Sequence, residues 1–102
     1  LISALLLFLP ETELLLKELG IENEPRLPGL NYNSRQLFWM SYARGWCYKV
    51  TTERLKEIIT TDPHSPSKYR VNIPLSNSVE FARDFNCPLG SKMNPEKKCR
   101  VW

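Results

Sequence analysis

The chain has 102 residues, 42% hydrophobic and 11% aromatic, which suits one domain with enough apolar material for a core and excludes a disordered polymer. A formal net charge of +3, from 14 basic and 11 acidic residues, is mild. The basic residues are scattered apart from Lys97, Lys98 and Arg100, and no basic stripe interleaves with aromatics, so nucleic acid is not an expected partner.

Leu1 to Leu9 is apolar apart from Ser3 and far shorter than the about 20 residues that span a bilayer. It could pass for the apolar part of a signal peptide, but no basic residues precede it and no small-x-small cleavage site follows. A buried or truncated helix is the preferred reading. From Pro10 the segment Glu-Thr-Glu-Leu-Leu-Leu-Lys-Glu-Leu-Gly has acids in its first turn, Lys17 late and Gly20 as a stop, which predicts a short helix. Residues 21–32 form a connector with turns at Pro25, Pro28 and Gly29. Asn33 or Ser34 can cap a helix from Arg35 to about Cys47, whose Leu37, Phe38, Trp39, Met40, Tyr42, Ala43 and Trp46 cover most of its circumference. A helix apolar on nearly every side is normally buried in a larger body, and its aromatics are expected to be packing residues.

Thr51 or Thr52 can cap a further helix through about Thr60, with Leu55, Ile58 and Ile59 on one face and Glu53, Lys56 and Glu57 on the other. Past the loop that follows, Val71, Ile73 and Leu75 alternate with Asn72 and Pro74, which predicts a short extended strand or edge segment. Asn77-Ser78-Val79-Glu80 reads as a capping-box-like start for a helix to about Asn86 that buries Val79, Phe81 and Phe85. From Cys87 to Trp102 the periodicity fades, and a disulfide and Trp102 are expected to hold this tail down.

The stretch with the most chemistry is Asp62-Pro63-His64-Ser65-Pro66-Ser67-Lys68-Tyr69-Arg70. It holds the chain's one histidine. Prolines 63 and 66 fix φ and bias Asp62 and Ser65 toward extended conformations, so the segment is expected as a shaped loop. It follows a helix C-terminus, where the helix dipole favours a cation such as a protonated imidazole. A loop carrying an acid, an imidazole and a guanidinium is a candidate site, although a lone loop histidine is more often structural or merely exposed. The three cysteines, Cys47, Cys87 and Cys99, contain no Cys-x-x-Cys pair, which argues against a zinc ribbon or a thioredoxin-type site. Their odd number leaves at least one needing a partner elsewhere in an oxidising compartment.

Leu27-Pro28-Gly29-Leu30, Gln36-Leu37-Phe38, Trp46-Cys47, Asp62-Pro63-His64-Ser65-Pro66 with Arg70, Asn77-Ser78 with Glu80-Phe81, and Met93-Asn94-Pro95 with Cys99-Arg100-Val101-Trp102 occur in consistent order and spacing. Together they resemble the C-terminal end of the neprilysin and endothelin-converting-enzyme family of zinc metallopeptidases. The resemblance covers residues 27–102, read as the C-terminal portion of the catalytic domain; residues 1–26 depart from the family pattern and are read as a separate helical segment. The fold class implied is mainly α, the C-terminal helical part of a thermolysin-like catalytic domain with a loop-rich, disulfide-linked tail.

That family binds zinc through two histidines of a His-Glu-x-x-His helix and a later glutamate, with the first glutamate as general base. Neither the motif nor a second histidine occurs here, so zinc is implied for the complete enzyme and no metal is expected on this chain alone, which should be inactive by itself. By resemblance, His64 donates a hydrogen bond to the oxyanion formed when zinc-bound water attacks the peptide carbonyl, Asp62 orients its ring, and Arg70 grips a substrate backbone carbonyl. A structural alternative for Arg70 is an ion pair with Asp62 or Glu80. The resemblance also implies that Cys47, Cys87 and Cys99 pair with cysteines upstream in the same polypeptide; a local Cys87–Cys99 loop with Cys47 free is the competing reading. Implied partners are peptide substrates and the upstream polypeptide. The implied setting is extracellular or a plasma-membrane ectodomain, with the membrane reached only through an upstream anchor. A non-catalytic secreted module that binds peptides or proteins is the second functional reading.

Overall fold

The structure is a computed structural model that describes residues 14, 15, 17–19 and 25–99. The chain divides into two compact units, Leu1–Ser34 and Arg35–Trp102. In the first, Leu14, Leu15, Lys17 and Glu18 are helical and the Leu19 N–H donates to the Leu15 carbonyl at 2.9 Å, within the helix expected from Pro10. The remainder of that helix and the apolar run from Leu1 lie outside the described residues. At Leu27–Leu30 the chain turns, with Leu30 N–H donating to the Leu27 carbonyl at 3.1 Å. Pro28 and Gly29 supply the fixed and the positive φ (+79°) such a turn needs.

The second unit carries, among the described residues, the helices α1 (Ser34–Gly45), α2 (Thr52–Thr61), α3 (Ser67–Asn77) and α4 (Val79–Asp84), and no strand. The chain is therefore mainly α, as expected. The caps are those the sequence offers. The Thr51 hydroxyl accepts from Arg54 N–H at 3.2 Å to start α2, and the Ser78 hydroxyl accepts from Phe81 N–H at 3.0 Å to start α4. Ser78 Oγ also donates to the Glu80 carboxylate at 2.9 Å. α4 ends in a Schellman motif, with Asn86 at φ +51°, Cys87 N–H on the Ala82 carbonyl (2.8 Å) and Asn86 N–H on Arg83 (3.2 Å).

The strand expected over residues 71–75 is instead the interior of α3. Val71 and Leu75 are four residues apart, so they share a helical face as readily as a strand face. Leu75 is buried while Ile73, between them, is exposed, which is the helical outcome. Pro74 is tolerated because the carbonyl it deprives of an N–H, that of Arg70, accepts instead from the Tyr42 hydroxyl at 2.9 Å.

The buried apolar residues among those described in this unit are Trp39, Leu75 and Ala82. The Trp39 ring meets Phe38 and Phe81 edge-on, with centroids 5.1 and 5.7 Å away, and Phe81 meets Phe85 at 4.9 Å. Phe81 and Phe85 are only half-buried and Val79 is exposed, so α4 buries less than expected. On α1, Met40 is exposed and Leu37, Phe38, Tyr42 and Ala43 are half-buried, in keeping with a helix whose apolar surface exceeds what this chain covers.

Asp84 ties α1 to α4. Its side chain is 4% exposed, accepts from Trp39 Nε1 at 2.8 Å and lies 3.1 Å from Arg83 and 3.9 Å from Arg35, while Gln36 Nε2 donates to its backbone carbonyl at 2.9 Å. Removing the carboxylate strands the indole N–H of the most buried aromatic residue. Asp84→Ala in the complete polypeptide is expected to cost about 1 to 3 kcal/mol in urea unfolding. A change under about 0.5 kcal/mol would show that the contact is incidental.

The tail is loop-rich, as expected, and turns at Gly90 (φ +83°), with a Ser91–Asn94 bridge. Hydrogen bonds hold it: Asn94 Nδ2 to the Cys87 carbonyl (2.8 Å), Lys98 Nζ to the Ser76 carbonyl (2.7 Å) and Cys99 N–H to Asn77 Oδ1 (2.7 Å). Trp102 lies outside the described residues.

Candidate functional site

The expected loop spans Asp62 to Pro66 and is shorter than the sequence suggests, because Ser67 already begins α3 and Arg70 lies on that helix. Asp62 ends α2 in an extended conformation (ψ 126°), its N–H still on the Ile58 carbonyl at 2.9 Å. Two prolines then prevent helix from continuing until Pro66, whose carbonyl accepts from Tyr69 (2.9 Å) and Arg70 (3.3 Å).

One carboxylate oxygen organises this loop. Asp62 Oδ1 accepts from the His64 backbone N–H at 2.8 Å, closing an Asx turn, and lies 2.9 Å from Nδ1 of the same residue's ring. The His64 backbone N–H first, and its ring second, hold the Asp62 carboxyl below its ordinary 3.8, and Arg70 adds a smaller effect through space. Asp62 is thus a carboxylate at neutral pH. With Nδ1 directed at it, Nε2 is the ring nitrogen left for an outside partner, and Nε2 donates when the ring carries both protons. The His64 side chain is 69% exposed, so an outside partner can reach it.

Arg70 is half-buried, and the neighbour of its guanidinium is an aromatic ring rather than the Asp62 or Glu80 carboxylate of an ion pair. Its Cζ lies 4.8 Å from the centroid of the Trp46 ring. Tyr42 and Trp46, expected as plain packing residues of a helix from Arg35 to about Cys47, therefore contact the backbone and the side chain of Arg70, Tyr42 from α1 and Trp46 from just past its end. The signal available in the sequence was Pro74, which leaves the Arg70 carbonyl asking for a donor. Asp84 was also missed, because a charged residue beside Arg83 near a helix end looks like solvated surface.

Cys47 and Cys99 are exposed, Cys87 is half-buried, and none is bonded to another, so the local Cys87–Cys99 loop is not formed. Among the described residues no three of His, Cys, Asp and Glu are grouped to hold a metal ion, and no helix is long and apolar enough to cross a membrane. These residues do not fit a zinc site. What the site can offer is a planar fork of donors from Arg70 and an outward ring nitrogen from His64 that donates when the ring carries both protons, both suited to oxygen atoms of a ligand.

The sequence model of peptidase family M13 matches residues 14–101. Neprilysin-21 of Caenorhabditis elegans is 54% identical over 81 residues, covering 78% of this chain and 10% of that protein. The endothelin-converting enzyme homolog of Locusta migratoria is 55% identical over 76 residues, or 74% of this chain and 10% of its own length. Endothelin-converting enzyme 1 of Rattus norvegicus is 53% identical over 79 residues, 78% of this chain and again 10% of its own length. Among solved structures, the Haemonchus galactose containing glycoprotein complex is similar with a TM-score of 0.77 at 44% identity, covering 88% of this chain and 16% of that one. The chain thus spans 10% of the length of these curated relatives. Since the family match runs unbroken through the four helices and the loop of Asp62 and His64, this chain belongs to peptidase family M13.

Proposed function

We propose that this chain is the part of a neprilysin-type zinc endopeptidase that stabilises the transition state and grips the substrate, with peptides as substrates. His64 donates to the oxygen that becomes negative as the scissile carbonyl turns tetrahedral, Asp62 orients its ring, and Arg70 donates to a neighbouring backbone carbonyl of the peptide. The observation that carries this reading is the double grip of Asp62 Oδ1 on the His64 backbone and Nδ1, which leaves Nε2 as the outward ring nitrogen on an exposed loop, a donor when the ring carries both protons. A donor fixed before reaction needs no reorganisation as charge develops, which is why it acts on rate.

The metal and its general base belong, in this reading, to an upstream part of the same polypeptide, and the chain alone is inactive. Cys47, Cys87 and Cys99 pair with cysteines of that part, which accounts for free thiols on a secreted or plasma-membrane ectodomain protein. Hydrolysis of a short peptide by the complete polypeptide is expected to disappear on chelation and to return with zinc. Hydrolysis that persists through chelation contradicts the assignment, and peptide binding without metal-dependent hydrolysis would favour a non-catalytic binding module.

A further inference from the structure

We propose that Tyr42 and Trp46 are positioning residues that hold Arg70 at both its ends, an inference that rests on the substrate-gripping role given to Arg70 above. Pro74 has no N–H, so the Arg70 carbonyl lacks the partner a helix would supply four residues on. The Tyr42 hydroxyl takes that place at 2.9 Å. About one turn further along the same helix line, the Trp46 ring lies 4.8 Å from the guanidinium carbon, a distance at which a cation is drawn to an indole face. Trp39 and Tyr42 are three apart on α1 and so share one face, Trp46 follows the helix's last residue with its N–H on the Ala43 carbonyl at 3.1 Å, and Trp39 is itself fixed by its hydrogen bond to Asp84 at 2.8 Å. The line from Trp39 to Trp46 thus sets the backbone and the tip of Arg70 from one rigid support. Burial raises the Tyr42 phenol above its ordinary 10.0, against smaller opposing effects of Trp46 and Arg70, so the hydroxyl remains a donor across the neutral range.

The functional consequence is pre-organisation. An arginine side chain has many rotamers, and one already ordered on a ring loses less freedom when a peptide carbonyl arrives. Binding, rather than the chemical step, should feel its loss.

The test is a double-mutant cycle in the complete, zinc-loaded polypeptide. Tyr42→Phe is expected to raise KM for a short peptide about three- to tenfold with kcat within about twofold, and Trp46→Leu to act in the same direction. In an Arg70→Met background both effects should vanish, because nothing remains to position. Pro74→Ala restores an N–H to the Arg70 carbonyl and should rescue Tyr42→Phe. An unchanged KM in Tyr42→Phe and Trp46→Leu overturns the inference, and so does a KM effect of equal size with Arg70 already replaced, which marks a merely structural role. Arg70→Met that leaves KM and kcat unaltered removes the substrate-gripping role itself, and the inference falls with it.

Discussion

Arg70→Met in the complete polypeptide is expected to lower kcat/KM for a short peptide by about 10- to 100-fold, mostly through KM. The magnitude follows from a charge-assisted hydrogen bond to a substrate carbonyl, worth about 1.5 to 3 kcal/mol, at 1.4 kcal/mol per factor of ten. Methionine preserves what is not being tested. It favours helix as arginine does, so the first turn of α3 should form, and its thioether can rest on the Trp46 ring. What it removes is the planar fork of donors. Arg70→Lys should fall between the two, because an ammonium keeps the charge but neither the fork nor the stacking geometry. A kcat/KM for Arg70→Met within about twofold of the unaltered protein would mean that the guanidinium serves the packing of α1 against α3 and nothing more.

Local chemistry made much of this chain legible. Thr51 and Ser78 were readable as caps because a hydroxyl at a helix start has one favourable use, and both are used that way. The loop of His64 was readable because two prolines exclude helix there whatever surrounds them. Residues 71–75 were misread for a physical reason: three apolar residues at alternate positions, with a proline between two of them, satisfy a strand locally. The resolution comes from Tyr42, 28 residues away in sequence, which supplies the donor that Pro74 withholds. Asp84 was hidden in the same manner, since its main partner is the Trp39 indole, 45 residues earlier. Contacts of that span depend on which helices meet, and neither propensity nor periodicity carries that information.

The candidate site divides along the same line. The Asp62–His64 pair lies within one turn and its geometry is nearly fixed by the intervening proline, so residue types and spacing pointed to it directly. Arg70 was named with it, but its surroundings were not. An ion pair is the default for a surface arginine near acids, whereas the structure gives it the face of Trp46 and a half-buried setting. An aromatic under the guanidinium leaves the outward edge of the fork with its donors, which an ion pair to Asp62 would have occupied. The tail's own contacts were not legible either, since the side-chain and backbone hydrogen bonds to Cys87, Ser76 and Asn77 that position it join residues up to 22 positions apart.

The measurement that tests the central claim most directly is turnover, together with zinc content, of His64→Ala in the complete polypeptide. An aimed donor to a developing oxyanion is worth about 100- to 1,000-fold in rate, and the role proposed for His64 makes it that donor, its backbone and Nδ1 held by Asp62. The account predicts a fall in kcat of about 100- to 1,000-fold with bound zinc unchanged, since His64 stabilises the transition state and is not a ligand. Turnover within about twofold of the unaltered protein, or loss of the metal along with the imidazole, would contradict it.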